Sequence, residues 1–215
     1  TIILRGTNTF TGPLRVTAGT LRLAGEGSVA SALIEIASGA TLDVTARTGG
    51  VLNLASGQTL RGSGTFAGGL IVGSGATLAP GMSPGVLTVN GNLTMNAGAV
   101  FEVELNGLTV GTEYDQLNMN GNTLALVSPT LQVALGFTPA VHDTFTIVSG
   151  LNGFDPLWNG TFSGLSDNST FTVSGTEFRI NYNSSDITLT VIPEPNTLGL
   201  FGLMVGAWLY RRRSR

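Results

Sequence analysis

The 215-residue sequence predicts an all-β fold: a right-handed parallel β-helix (a β-solenoid) with less regular C-terminal rungs or a cap, then a short C-terminal hydrophobic helix. Three observations predict it. The chain is rich in Gly (31 residues), Thr, Ser and Asn, which disfavours long helices and suits strands joined by tight turns. Its apolar residues fall in short runs of strict alternation, the pattern of half-buried strands. A Gly–Thr–Leu signature recurs at intervals near 20 residues, as in a solenoid whose repeats bury their apolar faces against one another.

Residues 1–105 form the repeat region. Gly19-Thr20-Leu21-Arg22-Leu23 returns as Gly39-Ala40-Thr41-Leu42-Asp43-Val44, as Gly57-Gln58-Thr59-Leu60-Arg61 and as Gly75-Ala76-Thr77-Leu78-Ala79. The repeated Leu positions, 21, 42, 60 and 78, step by 21, 18 and 18, and a weaker copy at Gly91-Asn92-Leu93 follows after 15. A repeat of about 18–21 residues holds three short strands and three turns, and each spacing is expected to be one rung. A leucine-rich repeat would show a fixed Asn, and a propeller blade needs a period of about 40.

Residues 106–192 are read as terminal β-rungs or a cap. The period loosens, but 131–135, 144–148, 170–173, 178–182 and 187–191 still alternate, and most of the aromatic residues lie here. Larger, less regular rungs suit an end that must cover exposed backbone donors and apolar side chains.

Residues 193–215 differ in kind. Pro193, Glu194 and Pro195 break the last strand. Then 197–210 carries no charge: Thr197, Leu198, Leu200 and Phe201 lead into Leu203, Met204 and Val205, with Trp208, Leu209 and Tyr210 at its end. Arg211, Arg212, Arg213 and Arg215 follow. An apolar run, interfacial aromatics and a basic stop make a membrane-anchor layout with the Arg cluster on the cytoplasmic side. Fourteen residues fall short of the roughly 20 a full span needs, so the run reads as a transient sorting signal.

Charge sharpens this division. All ten basic residues are Arg; residues 1–192 hold 6 against 12 acidic residues, net −6, and 193–215 hold 4 against Glu194 alone, net +3. An acidic body without Lys argues against nucleic acid as a partner. Zero Cys removes disulfides, thiolate zinc sites and Cys nucleophiles. Thr1 already lies in a strand-like run, and the expectation is a C-terminal piece of a longer protein.

Two resemblances follow. Val191-Ile192-Pro193-Glu194-Pro195, the apolar run and the Arg cluster resemble a PEP-CTERM protein-sorting domain. That resemblance implies an exosortase, a membrane transpeptidase of Gram-negative bacteria that make extracellular polysaccharide, with cleavage near Pro-Glu-Pro. It implies transient inner-membrane anchoring, then the cell surface or the extracellular space. Asn196 stands where Ser or Thr is more usual. Gly6-Thr7-Asn8-Thr9-Phe10-Thr11-Gly12 and Thr17-Ala18-Gly19-Thr20-Leu21 are similar to the autotransporter-associated β-strand repeat, with Phe10 for the usual Tyr. Residues 78–85 and Tyr114-Asp115-Gln116-Leu117 resemble segments that follow such repeats. This likeness implies a passenger-type β-helix and no catalytic residue.

Candidates for catalysis are thin. Gly81-Met82-Ser83-Pro84-Gly85 matches G-x-S-x-G, with Asp115 and His142 following in hydrolase order. Pro84 has no N–H for an oxyanion, and a strand-like run follows where a helix is required, so a turn between rungs is expected. His142, the sole His, reads as a solvated loop residue. Glu102 and Glu104 share one strand face at a spacing a glycosidase could use, but also form the ordinary polar face of a strand. Glu113 and Asp115 lack a calcium-repeat context. No catalytic residue, metal or cofactor is expected. The function expected is that of an exported, non-enzymatic surface or matrix solenoid, structural or adhesive, able to contact extracellular polysaccharide. The alternatives are a fragment of a polysaccharide-active β-helix enzyme with its catalytic residues upstream, and an autotransporter passenger.

Overall fold

The computed structural model describes residues 1–193. The chain begins with β1 (Ile2–Leu4), β2 (Leu14–Val16) and β3 (Thr20–Gly25), then winds repeatedly through three sheets. One coil is β4 (Leu33–Ile36), β5 (Thr41–Arg47) and β6 (Val51–Leu54); the next is β7 (Thr59–Gly62), β8 (Thr65–Ala67) and β9 (Gly69–Val72). Then come β10 (Thr77–Pro80), β11 (Val86–Asn90) and β12 (Leu93–Met95), followed by β13 (Val100–Leu105), β14 (Gln116–Asn122) and β15 (Leu124–Val127). The last coil is β16 (Thr130–Leu135), β17 (Thr144–Leu151), the single-turn helix α1 (Pro156–Asn159) and β18 (Gly160–Thr161). The chain closes with β19 (Thr170–Val173), β20 (Thr176–Tyr182) and β21 (Ile187–Val191).

From coil to coil every strand pairs in parallel with its counterpart. β2, β4, β7, β10, β13 and β16 form a six-stranded sheet, and β6, β9, β12, β15 and β18 a five-stranded one. β1, β3, β5, β8, β11, β14 and β17 form the parallel part of a ten-stranded sheet. This nearly all-β, parallel arrangement is consistent with a β-solenoid. Most strands bury alternate residues: along β13, Phe101, Val103 and Leu105 are sealed in the core while Val100, Glu102 and Glu104 face outward. Each such fully buried Leu or Phe contributes about 1.5–3 kcal/mol of transfer free energy.

The coil length departs from the expected one. Leu21 pairs with Leu42 in the ten-stranded sheet, and Leu60 with Leu78 in the six-stranded one. Leu42 does not stack on Leu60; its partner is Phe66, while Leu60 lies on Ile34. Leu78 stacks on Phe101, and Leu93 belongs to the third sheet, over Leu70. In the six-stranded sheet the steps are 26 from Ile34 to Leu60, 18 from Leu60 to Leu78, 23 from Leu78 to Phe101 and 30 from Phe101 to Leu131.

The reason lies in turn chemistry. Before β5, β7, β10 and β13 the chain makes the same tight turn, with 3.0 Å bonds from the N–H of Ala40, Gln58, Ala76 and Ala99 to the carbonyls of Ala37, Ala55, Gly73 and Asn96. The third residue of each, Gly39, Gly57, Gly75 or Gly98, has φ of 75°, 80°, 74° or 78°. That is the type II position that favours glycine. The signature therefore marks entry into a strand at two different corners of the coil.

The end is built differently. β21 turns back antiparallel on β17, β20 pairs with β21 and β19 with β20, and β19 lies against β16. Aromatic rings fill this end: Phe145 meets Tyr114 and Phe178 edge-on, and Phe162 stacks on Phe101 at 5.7 Å. Buried Tyr182 donates its hydroxyl proton to the Leu165 carbonyl and accepts from the Phe162 N–H, and burial pushes its phenol up from the ordinary value.

Candidate functional site

Two regions carry chemistry. The first is a notch on the outer face of the six-stranded sheet. Outward positions there align across coils: Arg15 beside Glu35, Glu35 beside Arg61, Arg61 beside Ala79. Glu35 is only 6% exposed and is held by Arg61 at 2.8 Å and, more loosely, by Arg15 at 3.5 Å. A second pair, Arg22 and Asp43 at 2.7 Å, joins β3 to β5. Burial works against the Asp43 charge. Bonds from the Thr45 hydroxyl and N–H, with Arg22, outweigh it and hold the carboxyl below its usual value.

Beyond Arg61 the small Ala79 side chain leaves a gap, and Glu102 and Glu104 of β13 stand on its far side, on one face as the alternation predicts. The loop 81–85 and Asp115 close the gap, leaving a cavity of about 70 Å³. Asp115 is 3% exposed and both its carboxyl oxygens are engaged: Oδ1 accepts from the Gly85 N–H and Oδ2 from the Glu104 N–H, each at 2.8 Å. Burial raises its pKa to about 6, opposed by these two N–H bonds and helped by the charges of Glu104 and Glu102.

A buried acid with raised pKa beside two carboxylates has the makings of a general acid. The notch beside it offers about 70 Å³, small against the roughly 300–1,000 Å³ of ligand pockets. Through its two N–H bonds Asp115 staples the loop 81–85 and the β13 backbone to the start of β14.

The G-x-S-x-G residues do not assemble a triad. Ser83 has φ of 132°, a strand follows at Val86, and Asp115 is committed to Gly85. His142 lies on an exposed turn with φ of 77°, its backbone N–H bonded to the Val191 carbonyl, and does not line the notch. Glu113 turns away to accept from the Leu108 and Thr109 N–H groups, and bonds from Thr109 lower its pKa. Among the described residues no three His, Asp or Glu side chains could hold a metal ion. Asp115 thereby joins residues 78–85 to 114–117, two segments singled out in the sequence, although nothing there pairs them.

The second region begins at Pro193, the exposed last described residue after β21. Glu194, Pro195, the apolar run, its expected helix and the Arg cluster lie outside the described residues. Among the described residues no helix is long and apolar enough to cross a membrane. Residues 191–213 match the model of the PEP-CTERM protein-sorting motif. The chain carries an exosortase-type sorting signal. The motif indicates export, an exosortase-type membrane processing partner, and a surface or extracellular destination. The match begins on the last residue of β21, so the motif follows directly from the cap. It lends no support to the autotransporter-associated likeness of the front coils. No curated protein and no solved structure matches the chain.

Sequence reading missed one feature altogether. Leu157 and Trp158 on α1 are 87% and 88% exposed, although both are large and apolar. No periodic signal could flag them, because α1 is a single turn between strands.

Proposed function

We propose that this chain is a non-enzymatic, right-handed β-helix of the Gram-negative cell surface or extracellular matrix, with a structural or adhesive role. Right-handed winding follows from the strong preference of parallel crossovers for that hand. In this reading residues 197–210 engage the inner membrane transiently, the Arg cluster stays cytoplasmic, and an exosortase cuts near Pro193-Glu194-Pro195. The observation that carries it is the sorting motif at 191–213, attached to a closed, rigid body. The outer faces of the sheets, with Thr59, Thr77, Thr94 and Asn53 outward, offer hydroxyls and amides for many weak bonds to polysaccharide.

The test is the intact mass of the protein from its native cells. A mature C-terminus between residues 193 and 196, free or modified, supports the reading. A surface-fraction chain that runs through Arg215 overturns it.

The competing reading, a polysaccharide-active enzyme, rests on the raised pKa of Asp115 beside Glu102 and Glu104. Turnover of any extracellular polysaccharide that Asp115→Asn abolishes would replace the structural reading with this one.

A further inference from the structure

We infer that Leu157 and Trp158 form a lipid-docking knob that rests the terminal coil on the membrane while the sorting tail is held there. The inference rests on the sorting reading above and adds a second contact to it. Two adjacent large apolar side chains, nearly nine-tenths exposed, stand out on a body whose other large side chains are mostly sealed in its core. They are held rigidly. The Asp155 carboxylate caps α1 by accepting from the Leu157 N–H at 2.9 Å, Pro156 opens the turn, and the Asn159 side-chain amide donates to the Leu124 carbonyl at 3.0 Å. The knob is thus fixed to β15 and does not fold back onto the core.

The tail identifies the occupant. β21 ends at Val191 and the uncharged run begins at Thr197, so six steps along the chain at roughly 3.3–3.6 Å each span at most about 22 Å. A run held in the bilayer therefore keeps the terminal coil within about 22 Å of it. The front of the six-stranded sheet lies five strand spacings away, about 24 Å up the rod. α1 belongs to that terminal coil: it leads into β18, the last strand of its sheet, and the Phe154 N–H just before it bonds the Ser184 carbonyl of the turn that begins β21. The knob and the tail thus leave the same end of the rod, separated by about the length of β21. Trp beside Leu is the pairing that settles at the lipid headgroup boundary. The body is net acidic, so the contact is apolar and survives salt.

The chain's two Trp residues make this measurable. The full chain carrying Trp208→Phe has Trp158 as its sole Trp. It is reconstituted with vesicles of phosphatidylethanolamine and phosphatidylglycerol, and flotation is read beside Trp emission. A dye on Ser38→Cys, at an exposed front turn of this Cys-free chain, reports the far coils. The expected result is a floating chain whose Trp158 emission shifts to the blue, with several-fold weaker iodide quenching and quenching by shallow spin-labelled lipid. The Ser38 dye stays in water. A floating chain with Trp158 emission unchanged overturns the knob and leaves the sorting reading standing. A chain that does not float overturns both. A blue shift on added extracellular polysaccharide but not on vesicles assigns the knob to sugar stacking and also overturns the inference.

Discussion

The front coils and the terminal end solve different problems with the same strand pattern. From β4 to β12 the core is mainly Leu, Ile and Val, with Phe66 its one ring, the turns are short, and each strand except the edge strand β6 finds an equivalent partner on both sides. From β13 onward the step lengthens to 30 residues, aromatic rings join the aliphatic side chains of the core, and the last three strands pair antiparallel. A coil that propagates must present the same face it covers. A coil that terminates must not, and bulky rings with antiparallel strands leave no matching edge to add to. Regularity belongs to the part that extends and irregularity to the part that ends it.

The largest effect expected comes from setting Phe178→Ala in the cap against Leu60→Ala in the stack. Phe178 is fully buried between Phe145 and Phe171, and its truncation is expected to lower stability by about 3–5 kcal/mol; Leu60, sealed between Ile34 and Leu78, costs about 2–5. The difference lies in direction. Hydrogen exchange should show protection lost from β17 to β21 alone in the first variant, and on both sides of β7 in the second. Equal loss along the whole chain in both would mean that the cap and the rod unfold as one unit.

A medium effect comes from acid. Asp115 has a folded pKa near 6, above its ordinary 3.8, so its proton is bound more tightly in the fold. Its contribution is full below about pH 4 and is lost as pH rises through 6. Thermal stability should therefore increase on acidification from pH 7 to 5, by on the order of 2 kcal/mol at most. Asp43 has the opposite sign: its folded pKa is lowered, so its support is lost only as pH falls below the ordinary value. The two windows do not overlap, and Asp115→Asn should flatten the upper one while leaving the lower. The smallest effect is Arg61→Ala, at about 1 kcal/mol or less, because Arg61 is 40% exposed and Arg15 remains near Glu35. Melting curves for these variants separate core from surface.

Much of this was readable in the sequence, and the failures have physical causes. Alternation located β13, β16, β17 and β19 to β21, because one face of each turns to the core, buried in β13, β17, β20 and β21 and half-buried in β16 and β19. The type II turns at Gly39, Gly57 and Gly75 are visible as Gly before Ala-Thr-Leu or Gln-Thr-Leu; the one at Gly98, before Ala99-Val100-Phe101, is not. The coil length was not, because two corners use the same turn and sequence alone does not say which corner a glycine occupies. The Asp115 staple was hidden for the same reason: its partner Gly85 is 30 residues away, and only the coil length brings them together. The sorting tail was legible because its signal is an order of residue types along the chain and needs no fold.

The parallel ladders have a mechanical consequence. Their hydrogen bonds run along the rod axis, and the chain has no Cys to cross-link one coil to the next. Tension applied between the ends loads those bonds a few at a time, like a zipper and not like a sheared sheet. Each coil that yields frees 18–30 residues, roughly 60–100 Å of slack. A rod anchored at one end and gripped at the other would lengthen in unequal steps, giving way coil by coil while the remainder stays folded.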